Sequence, residues 1–176
     1  MDTILEDSIT CLKQGVRLLK SMTGEVYTFK SPDTLNSTVG GHFRHNIDHY
    51  KSFLGGLPSA EIDYDDRERD FGLETDPAEA LREMELLLGK LENLDGIDLE
   101  MPVRIKLDCG SEPSEPWSRS TGRRELQFLL SHTVHHYALI AMICRMRGFD
   151  PEEAFGVAPS TLKHRQQAAT VPACAH

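Results

Sequence analysis

Between Arg123 and Arg147 neither proline nor glycine interrupts the chain, and apolar side chains fall on almost every side of a helical turn: Leu126, Phe128, Leu129, Leu130, Val134, Tyr137, Leu139, Ile140, Met142 and Ile143. A helix that is apolar nearly all round is stable only when other elements cover it. The segment therefore predicts a helix from about Thr121 to just before Gly148, sunk among others. It does not predict a membrane span, because no run of eighteen or more apolar residues occurs in the sequence.

The covering elements are legible too. Ile4, Ile9, Leu12, Val16, Leu19 and Met22 recur at three- and four-residue steps, predicting a first helix over Thr3–Met22 that Gly24 stops. Val39, Phe43, Ile47, Tyr50 and Leu54 predict a second, from Ser37 or Thr38 to Gly55–Gly56. A third opens on a capping signal: Asp76 precedes Pro77, which suits a first turn, and Glu79 follows three residues after the cap. It continues to about Leu94 through Ala80, Met84, Leu87, Leu88 and Leu91. The stretch "TGEVYTFKSPDTLNS" reads as a loop with an extended piece at Val26–Phe29, and "PSAEIDYDDRERDFGLETD" as a solvated loop. Residues 95–118 hold three prolines and the alternating "VRIKL", predicting a long crossover with a short strand pair. Together these predict an all-α fold, a four-helix bundle with a long crossover before the last long helix. Residues 1–156 make one bundle domain, with a helical turn at "PEEAF", and 157–176 a partly disordered C-terminal tail.

Charge narrows the function classes. A net charge of −9 over 176 residues argues against a nucleic-acid binder, which usually shows a basic face, and gains nothing from an anionic membrane. Its start, "MDTILEDSIT", has neither the basic opening nor the apolar core of a secretory signal. Cys11, Cys109, Cys144 and Cys174 are widely spaced with no C-x-x-C, which reads as reduced thiols and a cytoplasmic location.

Six of the eight histidines lie in two short windows, "GGHFRHNIDHY" and "SHTVHHYALI". His132 and His136 are four apart, so they share one helix face and can aim at one point. His135 is turned by about 100° from His136. In the other window His42, His45 and His49 form a stripe beside the apolar one. One of these three together with His132 and His136 gives three imidazoles and an open position, the pattern of a catalytic divalent metal site. Imidazole suits zinc, nickel, copper or iron. Spacing alone does not choose among His42, His45 and His49. There is no H-E-x-x-H, so a thermolysin-like peptidase is not supported. A ligand must be neutral to coordinate, so binding is expected to weaken below the ordinary histidine pKa of about 6.5.

The pairing of "VGGHFRHNIDHY" with "ELQFLLSHTVHHYALI" resembles the DinB-like, YfiT-like superfamily of bacterial four-helix bundles. Its members typically carry one histidine in an H-x-x-D-like setting on the second helix and an H-x-x-x-H pair, often written H-x-x-H-H, on a later one. Here those positions are His45 in "HNID" and His132 with His136 in "HTVHH". The likeness runs over residues 3–148, and "FGVAPST" is similar to the close of one branch. Many members place a tryptophan just before the second helix, whereas this chain reads "DTLNSTVGG" there and has its one tryptophan at Trp117. The resemblance implies a divalent metal, zinc or nickel first, held by His45, His132 and His136. Asp48, His49 and Tyr137 are the candidates for steadying those ligands or lining the pocket. Relatives include mycothiol-dependent maleylpyruvate isomerase and bacillithiol S-transferases, so the resemblance implies a metal-dependent enzyme that activates a small thiol for transfer to a small-molecule substrate. A hydrolase using bound water and a non-enzymatic, metal-stabilised stress or interaction protein are the alternatives. Homodimerisation is implied for some members.

Overall fold

The computed structural model describes residues 2–30, 32–34, 36–94, 96–110 and 115–170. Helix α1 (Thr3–Ser21) starts where the Asp2 carboxylate accepts the Ile4 N–H at 3.1 Å. The segment after it differs from the loop expected: Thr23 caps a short helix, α2 (Gly24–Tyr27), which buries Val26 and Tyr27. Helix α3 (Val39–Gly56) is capped by Thr38, whose hydroxyl accepts the Gly41 N–H at 2.9 Å. A short helix, α4 (Gly72–Thr75), leads into α5 (Pro77–Glu92), where Asp76 accepts the Ala78 N–H at 2.8 Å. Helix α6 (Gly122–Met146) is capped by Thr121.

Each long helix turns its apolar stripe inward. Helices α1 and α3 both pack against α5 and α6, so the four close into a ring with α1 and α3 on opposite corners. Leu12, Phe43, Ile47, Met84, Leu91, Leu126 and Ile140 are fully enclosed at its centre. Close approach is enforced at Gly15, where an added Cβ would stand 2.0 Å from Tyr137 Oη.

The fold is mostly helical but not strictly all-α. Strands β1 (Glu61–Asp63), β2 (Pro102–Lys106) and β3 (Trp117–Thr121) form one sheet in the order β1-β2-β3, with β1 parallel to β2 and β2 antiparallel to β3. The β2–β3 pair lies on the crossover, where a strand pair was expected. Strand β1 is a correction, because it lies in the stretch read as a solvated loop. Ile62 and Tyr64 there are wholly buried while Glu61 is exposed, the period of two that a strand with one covered face shows. Leu73 in the same stretch is buried as well.

The tail has the turn expected at "PEEAF" and, beyond it, a helix that was not expected. Pro151–Phe155 closes a turn through the Phe155 N–H to the Glu152 carbonyl, seating the Phe155 ring on Tyr137 at 4.5 Å. A further helix, α7 (Pro159–Thr170), follows. Proline suits a first helical position, and the Leu, Lys, Arg, Gln and Ala residues behind it are good helix formers. The disorder expected at the end of the chain falls on 171–176, outside the described residues. Among the described residues no helix is long and apolar enough to cross a membrane.

Candidate metal centre

The two histidine windows meet because α3 packs against α6. His42, His45 and His49 come from one helix, and His132 and His136 from the other. His45 Nε2 stands 2.8 Å from His132 Nε2, and His42 Nδ1 stands 2.9 Å from His136 Nδ1. The His45 ring centroid is 4.5 Å from that of His136, and the His132 and His136 centroids are also 4.5 Å apart. One ring nitrogen from each of His45, His132 and His136 falls within a group no wider than 4.8 Å.

This donor set fits a divalent cation. Two lone pairs cannot face each other across 2.8 Å, so one hydrogen lies between His45 and His132, in a place a cation can take. Nitrogens bound at about 2.0–2.1 Å to one tetrahedral zinc lie about 3.3–3.4 Å apart, so the widest separation in the group, up to 4.8 Å, has to close by about 1.4 Å, a movement side-chain rotations can supply. The donors are also in the right protonation state. Burial pulls the histidine pKa down to about 4 at His42 and His132, about 3 at His136 and about 2 at His45. Mutual repulsion among the rings adds to this at all four, and Arg67 adds to it at His45 and His132. All four rings are therefore neutral at pH 7, the form that coordinates a metal.

The surroundings divide into a polar mouth and a packed back. An open cavity of about 310 Å³ is lined by His42, His45 and His136 together with Lys30, Ser37, Thr38, Arg44 and Glu74. Behind the cluster, Phe128 stacks on His132 at 5.4 Å and Tyr64 stacks on His49 at 5.5 Å. The Tyr64 hydroxyl donates to the buried Glu125 carboxylate at 2.9 Å, and Ser120 donates to the other carboxylate oxygen. These contacts wall the rings in and lock them in place.

The three supporting candidates sit in three different settings. Asp48, proposed to steady a histidine, accepts from Arg44 at 3.0 Å, and Arg44 pairs in turn with Glu74 at 2.6 Å. Burial pushes the Asp48 carboxyl up, while Arg44 and Arg67 pull it down. Its carboxylate therefore fixes the helix α3 to helix α4 corner and lines a second cavity of about 250 Å³ with Arg67. His49 donates its Nδ1–H to the His45 carbonyl at 2.8 Å, lying beside the triad without joining it. Tyr137 is fully buried among Phe43 and Phe155, on the core side of α6 and away from the cavity. His135 is exposed.

Other residues at the centre were not anticipated. Arg67, from the loop after β1, places Nη1 3.4 Å from His45 Nδ1 and 3.5 Å from His49 Nδ1. Nothing in "DDRERD" separates this arginine from a solvated one. Tyr64 had a signal in the alternation of "EIDY". His42 was visible as part of the stripe.

A family model described as the DinB superfamily matches residues 13–140, a span that takes in both histidine windows. The chain is also similar to a curated protein, FK506-binding protein 5 of Rhizopus delemar, at 32% identity over 113 residues. That match covers 61% of this chain and 29% of the relative, so the chain spans less than a third of that protein's length. No solved structure gives a significant match.

Proposed function

The chain belongs to the DinB superfamily, and from that premise we propose that it is a metal-dependent enzyme acting on a small molecule, with a low-molecular-weight thiol as co-substrate. The observation that carries this reading is the convergence of His45, His132 and His136 beside an open cavity of about 310 Å³. A divalent ion held there, zinc or nickel, supplies the Lewis acidity that lowers a thiol's pKa and makes it a nucleophile at neutral pH. The chain's residues do the rest. Neutral imidazoles hold the cation without cancelling its charge, so that charge acts on whatever enters the cavity. Lys30, Ser37 and Arg44 offer polar contacts that orient a substrate. A cavity lined this way favours an enzyme over an ion that only steadies the bundle.

The two buried cysteines do not compete as nucleophiles. Burial pushes the Cys11 thiol up to about 12 and the Cys144 thiol up to about 11, so both stay protonated at neutral pH. Cys109 is exposed on the crossover.

The test is thiol consumption by metal-loaded protein, with a panel of small thiols and electrophiles, against the metal-free form. Activity is expected to vanish in His136→Ala and to survive serine replacements at Cys11, Cys109, Cys144 and Cys174. Cleavage of activated esters or amides without thiol loss would move the reading to a hydrolase. Neither reaction, with a large gain in heat stability on metal binding, would make it a non-enzymatic protein.

A further inference from the structure

Ser37 lies in the turn before α3, with its Oγ 2.5 Å from the Thr34 carbonyl oxygen and 3.0 Å from His42 Nε2. A hydroxyl carries one hydrogen and a carbonyl only accepts, so Ser37 donates to Thr34. The Ser37 oxygen must then accept from His42, which places the His42 hydrogen on Nε2. His42 is buried with only a serine hydroxyl and another imidazole on its ring nitrogens, so the ring carries this one hydrogen and its Nδ1 is a bare lone pair. His136 Nδ1 stands 2.9 Å away and can only be the donor of that bond. A neutral imidazole has one N–H, so the His136 lone pair is left on Nε2. The order Thr34, Ser37, His42, His136 thus fixes one tautomer at each ring.

We infer that His42 is a positioning residue for the metal centre: by accepting the Nδ1–H of His136 it orients that ring and presents Nε2 as the ligand atom. The inference rests on the metal reading proposed above. Ligating histidines ordinarily give their second N–H to a carboxylate, a carbonyl or water, and loss of that partner weakens metal binding about 10- to 100-fold. Here an uncharged imidazole fills the place, itself anchored by a serine on the rim of the cavity.

The first measurement uses metal-free wild-type protein. Nitrogen–proton correlation spectra of the imidazoles should show His136 with its hydrogen on Nδ1 and His42 with its hydrogen on Nε2. The opposite tautomer at His136 would overturn the inference. The second is zinc affinity by chelator competition, with cobalt absorption as the geometric readout. His42→Leu should bind one ion about 10- to 100-fold more weakly, with a shifted cobalt spectrum and a metal-free form that still unfolds cooperatively. His42→Gln, whose amide oxygen can accept the same N–H, should recover most of the affinity. Ser37→Ala should lose less than His42→Leu. Unchanged affinity in His42→Leu would remove the positioning role. Loss of stoichiometric metal in both His42 variants would make His42 a ligand. Wild-type protein that binds no ion at all would sink the proposed function instead, and the tautomer spectra alone would then decide the hydrogen-bond relay.

Discussion

His45, His132 and His136 differ from His49 in what their nitrogens face. The three converge on one another, whereas His49 commits Nδ1 to a carbonyl and its ring to Tyr64. Alanine at any of the three is therefore expected to lower metal content from one ion per chain towards none, and alanine at His49 to keep most of it. Elemental analysis of tag-free protein checks this. Their depressed pKa values also set a pH dependence. An unfolded histidine titrates near 6.5, while the folded values are about 4 for His132, 3 for His136 and 2 for His45. Below 6.5 the unfolded chain binds more protons than the native one, so these groups lower the metal-free protein's stability as pH falls. Their full contribution is present above 6.5 and erodes towards pH 4 and below. Melting temperatures from pH 7 to 4 should fall more steeply for wild type than for His45→Gln. Proton competition for the metal shifts likewise: burial moves its onset from the 6.5 read from sequence to about 4. Zinc affinity at pH 5.5 should thus stay close to that at pH 7 while the fold persists, and a hundredfold loss across that interval would contradict the burial argument.

At the level of elements, α1 and α6 touch through a glycine. Alanine is the better helix former by about 1 kcal/mol, yet a Cβ at Gly15 would stand 2.0 Å from the hydroxyl of the fully buried Tyr137. Overpacking of this kind costs about 1–3 kcal/mol, so Gly15→Ala should be net destabilising in urea unfolding, and a gain in midpoint would show that the ring has room to move. The long helices were legible because each buries a periodic stripe with capping residues at its start. Asp76 and Thr121 cap where the sequence placed a start. Strand β1 left only the brief alternation of "EIDY", because it is three residues long and sits in a run of charges. Its pairing with β2 bonds positions 43 residues apart, as the Lys106–Asp63 contact shows, and no local pattern carries such information. Arg67 escaped for the same reason, since its meaning depends on where β1 delivers it. The histidine pairs could be read because an interval of four residues is local, whereas the meeting of α3 with α6 had to come from the bundle and the family resemblance.

For the whole molecule, a ligand that binds only the folded chain raises its stability. Zinc at one hundred times its dissociation constant contributes about 2.7 kcal/mol. At about 2–4 °C per kcal/mol for a chain of this size, the melting temperature should rise by about 5–11 °C and return to baseline with chelator. No shift at saturating zinc would place the ion elsewhere or nowhere. The centre also joins two points far apart along the chain, His45 and His132 being separated by 87 residues. Everything between them, all three strands of the sheet and α5 included, has to be in place before the rings face each other. Closing so distant a contact pays its chain entropy before the contact rewards it, which makes such contacts late in folding. Cobalt added to refolding protein should therefore gain its bound-state colour no earlier than the slowest change in tyrosine fluorescence, so that the hue of the solution marks the moment the bundle shuts.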